Sequence, residues 1–425
     1  MHERKCEQYW DAEDDFDVQE FKVTVADTTS YAQYTVRTLK ISKPNSSDSP
    51  RSVTQYHFTA WPDKSVPSSP WSLIHFRNNV MTSDREKGPI VVHCSAGVGR
   101  TGTFIGLDWL MRMADEVGHV DVYDCVERMR ADRVNMVQTL DQYIFLHEAL
   151  AMSVLLPPPQ SSHAFLSQPT IDDAALMSEF MKLNSFIGED SERNKESAGF
   201  TLRSSESTMS LDEGNGPKDT PGDDNDGLDY AGVVFVPGFW YRKQFLLMDT
   251  PDLTSADEFY RWMYDLDIQT IVTLDHDNPK LWPEVNDVVE FDSCRVTCTS
   301  KETQGRAVVR TLVYQEEDLE ATMTHLTCPG WVDSTNLSES PYIVIDFIKT
   351  VKQSIIADRP VVVQSSPSHG NGGIFCCVST MMDQAEADQT VAIPHVISQV
   401  RAYRPEVIRE HGGIQPVLSM CEEPS

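Results

Sequence analysis

The chain has no run approaching the ~20 apolar residues that a membrane span requires, and its opening Met1-His2-Glu3-Arg4-Lys5 lacks the apolar core of a secretion signal. Neither a bilayer crossing nor a signal peptide is therefore expected. Basic residues are scarce: 35 Lys and Arg stand against 65 Asp and Glu, a formal net charge of −30. Such a balance argues against nucleic acid or an anionic membrane as partner. The nine cysteines follow no regular spacing and are odd in number, which excludes a disulfide framework and reads as reduced thiols of the cytosol. The nearest approach to a metal pair is Cys294-x3-Cys298. It has no second pair or histidine cluster beside it, so it reads as structural and no metal or cofactor is expected. What remains is an acidic chain of 425 residues, long enough for two ordinary domains.

One stretch organises the rest: Ile90-Val91-Val92-His93-Cys94-Ser95-Ala96-Gly97-Val98-Gly99-Arg100-Thr101-Gly102. β-Branched residues run into a Gly-rich turn, and Thr103 to Met111 continue with the spacing of a buried helix. The pattern predicts strand, tight loop, helix. Such a loop turns consecutive backbone N–H groups and the positive end of a helix at one spot, which makes an anion cradle. A sulfur placed there, that of Cys94, is held as thiolate below the ~8.5 of a free cysteine and becomes a nucleophile. Arg100 offers a planar fork for two oxygens of a phosphate, and Thr101 a hydroxyl for the sulfur as it leaves. The same letters also fit the dinucleotide pattern G-x-G-x-x-G. That rival needs the first Gly directly after the strand and an acidic second strand after the helix. Here His93 to Ala96 intervene, and Val120 to Arg130 looks helical.

His93-Cys94-x5-Arg100-Thr101-Gly102 resembles the signature of the Cys-based protein tyrosine phosphatases, and Trp61-Pro62-Asp63 and Gln138-Thr139-x-x-Gln142 resemble two further loops of that family, in its order. The resemblance implies a phosphocysteine mechanism with no metal. Cys94 attacks phosphorus, while Arg100 and the loop amides of Ser95, Ala96, Gly97, Val98, Gly99 and Arg100 hold the phosphoryl oxygens. A phenolate leaving group, with a conjugate-acid pKa near ~10, asks for a proton. Asp63 is expected to supply it from a mobile loop anchored by Trp61 and then to act as base for the water that Gln138 and Gln142 hold.

Along the chain, Glu20–Val25, Tyr34–Leu39 and Val53–Phe58 alternate as half-buried antiparallel strands. Lys43–Ser52 reads as a surface loop. Ser69 is expected to cap, and Pro70 to open, a helix over Trp71–Met81. Further helices are expected over Val120–Arg133, Gln138–Ala151 and Ile171–Phe186. The run Leu156-Pro157-Pro158-Pro159 marks a domain boundary, and Gly188–Asp229, poor in large apolar residues, reads as a disordered insert.

From Tyr230 the second half repeats the first. Val361-Val362-Val363-Gln364-Ser365-Ser366-Pro367-Ser368-His369-Gly370-Asn371-Gly372-Gly373 overlies the signature at an offset of 271, which also carries Arg130-Ala131-Asp132-Arg133 onto Arg401-Ala402-Tyr403-Arg404. Cys94 falls on Ser365, Arg100 on Asn371, Gln138 on Arg409 and Gln142 on Gly413. His325-Leu326-Thr327-Cys328-Pro329-Gly330-Trp331 replaces the Trp-Pro-Asp loop. A serine nucleophile at Ser365 with His369 as base matches no established spacing. The second copy has lost its thiol and its cation.

Two tandem phosphatase-like domains, the first competent and the second decayed, resemble the intracellular half of receptor-type protein tyrosine phosphatases. Lys5-Cys6-Glu7-Gln8-Tyr9-Trp10, Thr54-Gln55-Tyr56-His57-Phe58 and Cys328-Pro329-x-Trp331 look closest to the gamma/zeta subclass. The expected fold is α/β, each domain a twisted mixed sheet flanked by helices. Residues 1–155 form the catalytic domain, 156–164 the linker, and 165–425 a pseudophosphatase domain with the insert at 188–229. Phosphotyrosine-containing proteins are the expected partners. The second domain is expected to be a regulatory or docking module making intramolecular or homodimeric contacts. About a hundred residues preceding Ser365 in the second copy have no match before Cys94. The first domain thus reads as incomplete at its N-terminus and lacks the tyrosine-bearing loop that sets pocket depth in the family. A fragment, a shorter isoform and an incomplete gene product all fit. A catalytically inert binding protein is the alternative function.

Overall fold

The computed structural model describes residues 8–10, 16–44, 49–62, 65–82, 88–166, 178–179, 181–184, 233–251, 253, 255–274, 278, 280–329, 331, 341–366, 370–404 and 407. The expected insert 188–229 lies outside them, as do His369, Arg409, Gly413 and most of Ile171–Phe186. The chain divides between Pro157 and Pro158 into two compact units.

The first unit opens on an antiparallel meander, β1 (Phe16–Val18), β2 (Phe21–Ser30), β3 (Tyr34–Ser42) and β4 (Arg51–Phe58), paired in that order. Four helices follow: α1 (Pro70–Thr82), α2 (Gly99–Val117), α3 (Val122–Asp132) and α4 (Leu140–Leu155). Helix α1 turns Phe76 onto the sheet, where it meets Tyr34 and Phe58 edge-on at ring separations of 5.2 and 5.1 Å. It meets Phe104 of α2 at 5.7 Å. These edge-to-face contacts join sheet, α1 and α2 into one core. Buried Arg77 adds a polar tie, donating to Asp108 Oδ1 from Nε at 3.0 Å and from a terminal nitrogen at 2.7 Å, while Arg112 pairs with Oδ2. Removing Asp108 strands the buried Arg77 charge, at a cost of about 3–5 kcal/mol, whereas removing Arg77 leaves Asp108 with Arg112. Ser69 does not cap α1 through its side chain. Its Oγ has no hydrogen-bond partner among the described residues, and it is the Ser69 carbonyl that accepts, from the amide and hydroxyl of Ser72.

The second unit contains β5 (Gln160–Ser161), α5 (Ser162–Leu166), β6 (Val234–Val236), β7 (Phe245–Met248), α6 (Ala256–Asp265), β8 (Thr270–Thr273), β9 (Val288–Glu290), β10 (Arg295–Gln304), β11 (Ala307–Glu316), β12 (Leu319–Thr327), α7 (Pro341–Ser354), β13 (Val361–Gln364), α8 (Asn371–Asp388), β14 (Thr390–Val391) and α9 (Ile393–Tyr403). Part of the expected linker is thus β5 and α5, and β5 pairs with β14. The large sheet is mixed and runs β6-β7-β13-β8-β12-β11-β10-β9. At its centre β13 lies parallel to β7 on one side and β8 on the other. Val361, Val362 and Val363 are at most 1% exposed, as a strand covered on both faces must be.

The repeat read from sequence reappears in space: α7, α8 and α9 begin within about one residue of 271 positions after α1, α2 and α3. The meander β9–β12 likewise answers to β1–β4. Moved back by the same offset, however, β7 and β8 fall ahead of, or on, the first two residues of the chain. The strand expected at Ile90–Val92 does not form: no strand lies over residues 88–98, and Ile90 and Val91 are 48% and 83% exposed. An inner parallel strand exists through the neighbours that take up its N–H and C=O groups. Among the described residues the first unit has none for this segment, so the apolar sequence alone cannot make it β.

Candidate functional site

The signature residues build a cradle without the strand. Gly97 adopts φ +68°, a left-handed conformation open to glycine, and from there its N–H donates to Cys94 Sγ at 3.2 Å. Val98 precedes helix α2, and its carbonyl accepts from the N–H of Gly102 at 3.0 Å. The N-terminal amides of α2 are thus turned towards the sulfur. Burial pushes the half-buried Cys94 thiol up. The Thr101 hydroxyl and the amides of Thr101, Gly97 and Val98 more than offset it, lowering the pKa from 9.0 to about 7. Thr101 Oγ1 is buried and makes no hydrogen bond within ordinary limits among the described residues, so its effect on the thiol is that of a nearby donor. The other cysteines resolved as shifted are inert by contrast: Cys125 and Cys294 are pushed up to about 11 and 12, chiefly by burial.

This contrast has a direct readout. Alkylation of Cys94 by iodoacetamide, followed by peptide mass, is expected to rise with a midpoint near pH 7, since a lowered thiol pKa makes the thiolate the major form above it. Thr101→Val removes a stabilising donor and is expected to move that midpoint upward, towards the ordinary value. A midpoint unchanged in the variant, or lying near 9 in the wild type, contradicts the cradle.

Gln138 and Gln142 come to the same place. A Cβ on Gly99 would stand 3.0 Å from the Gln142 amide and 3.3 Å from Gln138 Oε1, so both side chains abut the loop. Gln142 is buried and closes a capping box at α4. Its Oε1 accepts from the N–H of Gln138 at 3.0 Å and of Thr139 at 3.4 Å, and its own N–H donates to Thr139 Oγ1. That Oε1 is therefore committed, and the Nε2 end is the part of Gln142 available to a water. Arg100 stands, half-buried, in the first turn of α2. Ser95 and Ala96 are exposed along the loop. Asp63 lies outside the described residues. Nearby, buried Trp61 donates from Nε1 to the Ser65 carbonyl at 2.8 Å and packs near Phe58 and Phe145.

Three further residues brace the Cys94 loop or the turn ahead of Gln138. Arg133 donates to the Ala96 carbonyl at 3.0 Å and lies against Gly97. Arg130 grips the carbonyls of Met136 at 2.9 Å and Val137 at 2.7 Å. Tyr9 accepts from Gln55 Nε2 at 2.9 Å, and its hydroxyl lies 2.9 Å from Nε2 of His93, the neighbour of Cys94. The signal for the two arginines was present, since the repeat carries Arg130 and Arg133 onto Arg401 and Arg404. In the second unit Ser365 Oγ occupies the cradle and accepts from the Gly372 N–H at 3.1 Å. Asn371 is buried with both ends of its amide unpaired among the described residues.

The half-buried Cys94 thiol, its pKa lowered by the Thr101, Gly97 and Val98 donors, thus lies just ahead of α2, with Gln138 and Gln142 against the same loop. The protein-tyrosine phosphatase family model matches residues 1–152 and 211–419. The chain belongs to that family. It is 27% identical to human receptor-type tyrosine-protein phosphatase zeta, over 96% of this chain and 19% of that protein. It is 30% identical to the putative receptor-type tyrosine-protein phosphatase mosPTP-1 of Aedes aegypti (92% and 31%) and 29% identical to tyrosine-protein phosphatase 99A of Drosophila melanogaster (95% and 32%). The chain therefore spans between about a fifth and a third of the length of these relatives. No helix among the described residues is long and apolar enough to cross a membrane.

Proposed function

We propose that the first unit is a phosphotyrosine phosphatase acting through a phosphocysteine intermediate. The observation that carries this reading is the Cys94 sulfur, brought to a pKa of about 7 by the Thr101, Gly97 and Val98 donors. In the first step the thiolate forms a P–S bond as the P–O bond to tyrosine breaks, and Asp63 gives its proton to the leaving phenolate. Arg100 and the loop amides carry the charge on the equatorial oxygens. In the second step a water held by Gln138 and the Nε2 end of Gln142 attacks phosphorus, its proton passes to Asp63, and the P–S bond breaks to return the thiolate. The second unit, with Ser365 and Asn371 at these positions, has neither nucleophile nor clamp and serves as a regulatory or docking module. By kinship with receptor-type relatives, the substrates are phosphotyrosine-containing proteins and the site faces the cytoplasm.

One observation favours a second reading, a non-catalytic phosphate-binding protein: Ile90 and Val91 are exposed, and among the described residues they have no flanking strands such as β13 possesses. Steady-state assay of the purified chain on a small aryl phosphate separates the two. Hydrolysis that iodoacetamide abolishes supports the enzyme. A folded chain that binds a phosphotyrosine peptide without hydrolysing it supports the binding protein.

A further inference from the structure

The turn ahead of Gln138 is strained. Asn135 and Val137 both take positive φ, +64° and +57°. Asn tolerates this region, but a β-branched residue there is an outlier that persists only where its surroundings hold it. Val137 is fully buried and held from three sides. Its N–H donates to the Val98 carbonyl at 3.2 Å, the same oxygen that receives Gly102. Gly102 leaves room for this approach, since a Cβ there would stand 2.5 Å from the Val137 nitrogen. From α3, Arg130 donates through Nε to the Met136 carbonyl and through a terminal nitrogen to that of Val137. Two donors of one planar fork thus meet two successive carbonyls, a geometry that a lysine ammonium cannot reproduce.

We infer that Arg130 is a positioning residue for the second chemical step, its fork holding the strained Met136–Val137 turn so that Gln138 is set against the Cys94 loop. The inference rests on the phosphatase reading above. The second unit supplies an internal comparison. Arg401, 271 positions after Arg130, likewise donates through Nε to a carbonyl six residues on, that of Val407 at 2.8 Å, and gives a terminal nitrogen to Asn184 Oδ1 at 2.8 Å. Attack by Cys94 draws on Asp63 and on groups within residues 94–101, and the Arg130 fork donates to none of the latter. Hydrolysis of the P–S bond depends in addition on where the Gln138 amide holds the water, and small misplacements of such a group are costly.

The test is single-turnover and steady-state hydrolysis of an aryl phosphate by the full chain, with protein-bound phosphate measured after acid quench. Arg130→Lys is expected to leave the first release of phenol intact. It should slow steady-state turnover on the order of tenfold to a hundredfold and raise protein-bound phosphate above the wild-type level. Gly102→Ala, which displaces the same turn from its other side with the guanidinium intact, is expected to produce the same split. A purely structural role would lower the thermal midpoint and cut both steps in proportion, with no rise in bound phosphate, and that result overturns the inference. Failure of the phosphatase reading is seen separately, as a wild-type chain without Cys94-dependent turnover, before any variant is compared.

Discussion

Replacing Cys94 with serine is expected to reduce hydrolysis of a phosphotyrosine peptide to background, a loss on the order of 10⁵-fold, while leaving peptide binding within a few-fold of the wild type. The asymmetry follows from chemistry at a single atom. A hydroxyl is not ionised at neutral pH by the donors that bring the thiol to about 7, so no nucleophile remains. The amides of the loop and Arg100 are untouched, and they hold the phosphoryl oxygens. The second unit already contains the hydroxyl form of this site, where Ser365 Oγ accepts from the Gly372 amide without disturbing the start of α8. Calorimetric titration with a phosphotyrosine peptide gives the binding arm and phosphate release the catalytic arm. Equal turnover by the two chains removes Cys94 from the chemistry.

The second large effect concerns Asp63. Asp63→Asn is expected to slow turnover of a phosphotyrosine substrate by about 10²–10⁴-fold, the range that general acid catalysis contributes. The size of the loss should depend on the leaving group. Phosphotyrosine expels a phenolate whose conjugate acid has a pKa near ~10 and which needs a proton as the bond breaks. An aryl ester with a far more acidic phenol leaves unaided, so the penalty on the first step should shrink with it. Rates over a series of substituted aryl phosphates give this dependence: a steeper slope in the variant supports the role, and parallel slopes oppose it. Trp61, two residues ahead of Asp63, is buried and donates to the Ser65 carbonyl.

The meander was legible because Tyr34–Leu39 and Val53–Phe58 alternate, and alternation is a local property that needs one covered face. Helices α1 to α4 were legible through their apolar spacing and the Pro70 start, with ends off by a few residues where fraying and capping, such as that by Thr139, decide. The repeat was legible because a constant offset survives the loss of chemistry at Ser365 and Asn371. Ile90–Val92 misled for a physical reason. The same β-branched letters form β13 in the second unit, where β7 and β8 pair with it, and form no strand in the first, where no such neighbours are described. Propensity states what a segment suits, and partners determine what it becomes. In the site, residue identities were readable and their supports were not. That Gln142 spends its carbonyl on a capping box, or that Arg130 spans two carbonyls, depends on a turn with two left-handed residues, and no spacing rule announces it.

The account turns on a covalent bond between Cys94 sulfur and phosphorus. The most direct measurement is acid quench of the wild-type chain during turnover of a phosphotyrosine peptide, followed by proteolysis and mass analysis of the peptide containing Cys94. A phosphoryl adduct on Cys94, absent when the chain is first alkylated, is the expected result. Turnover with phosphate on another residue, or with no protein-bound phosphate even when Arg130→Lys or Gly102→Ala slows the second step, contradicts the mechanism at its root.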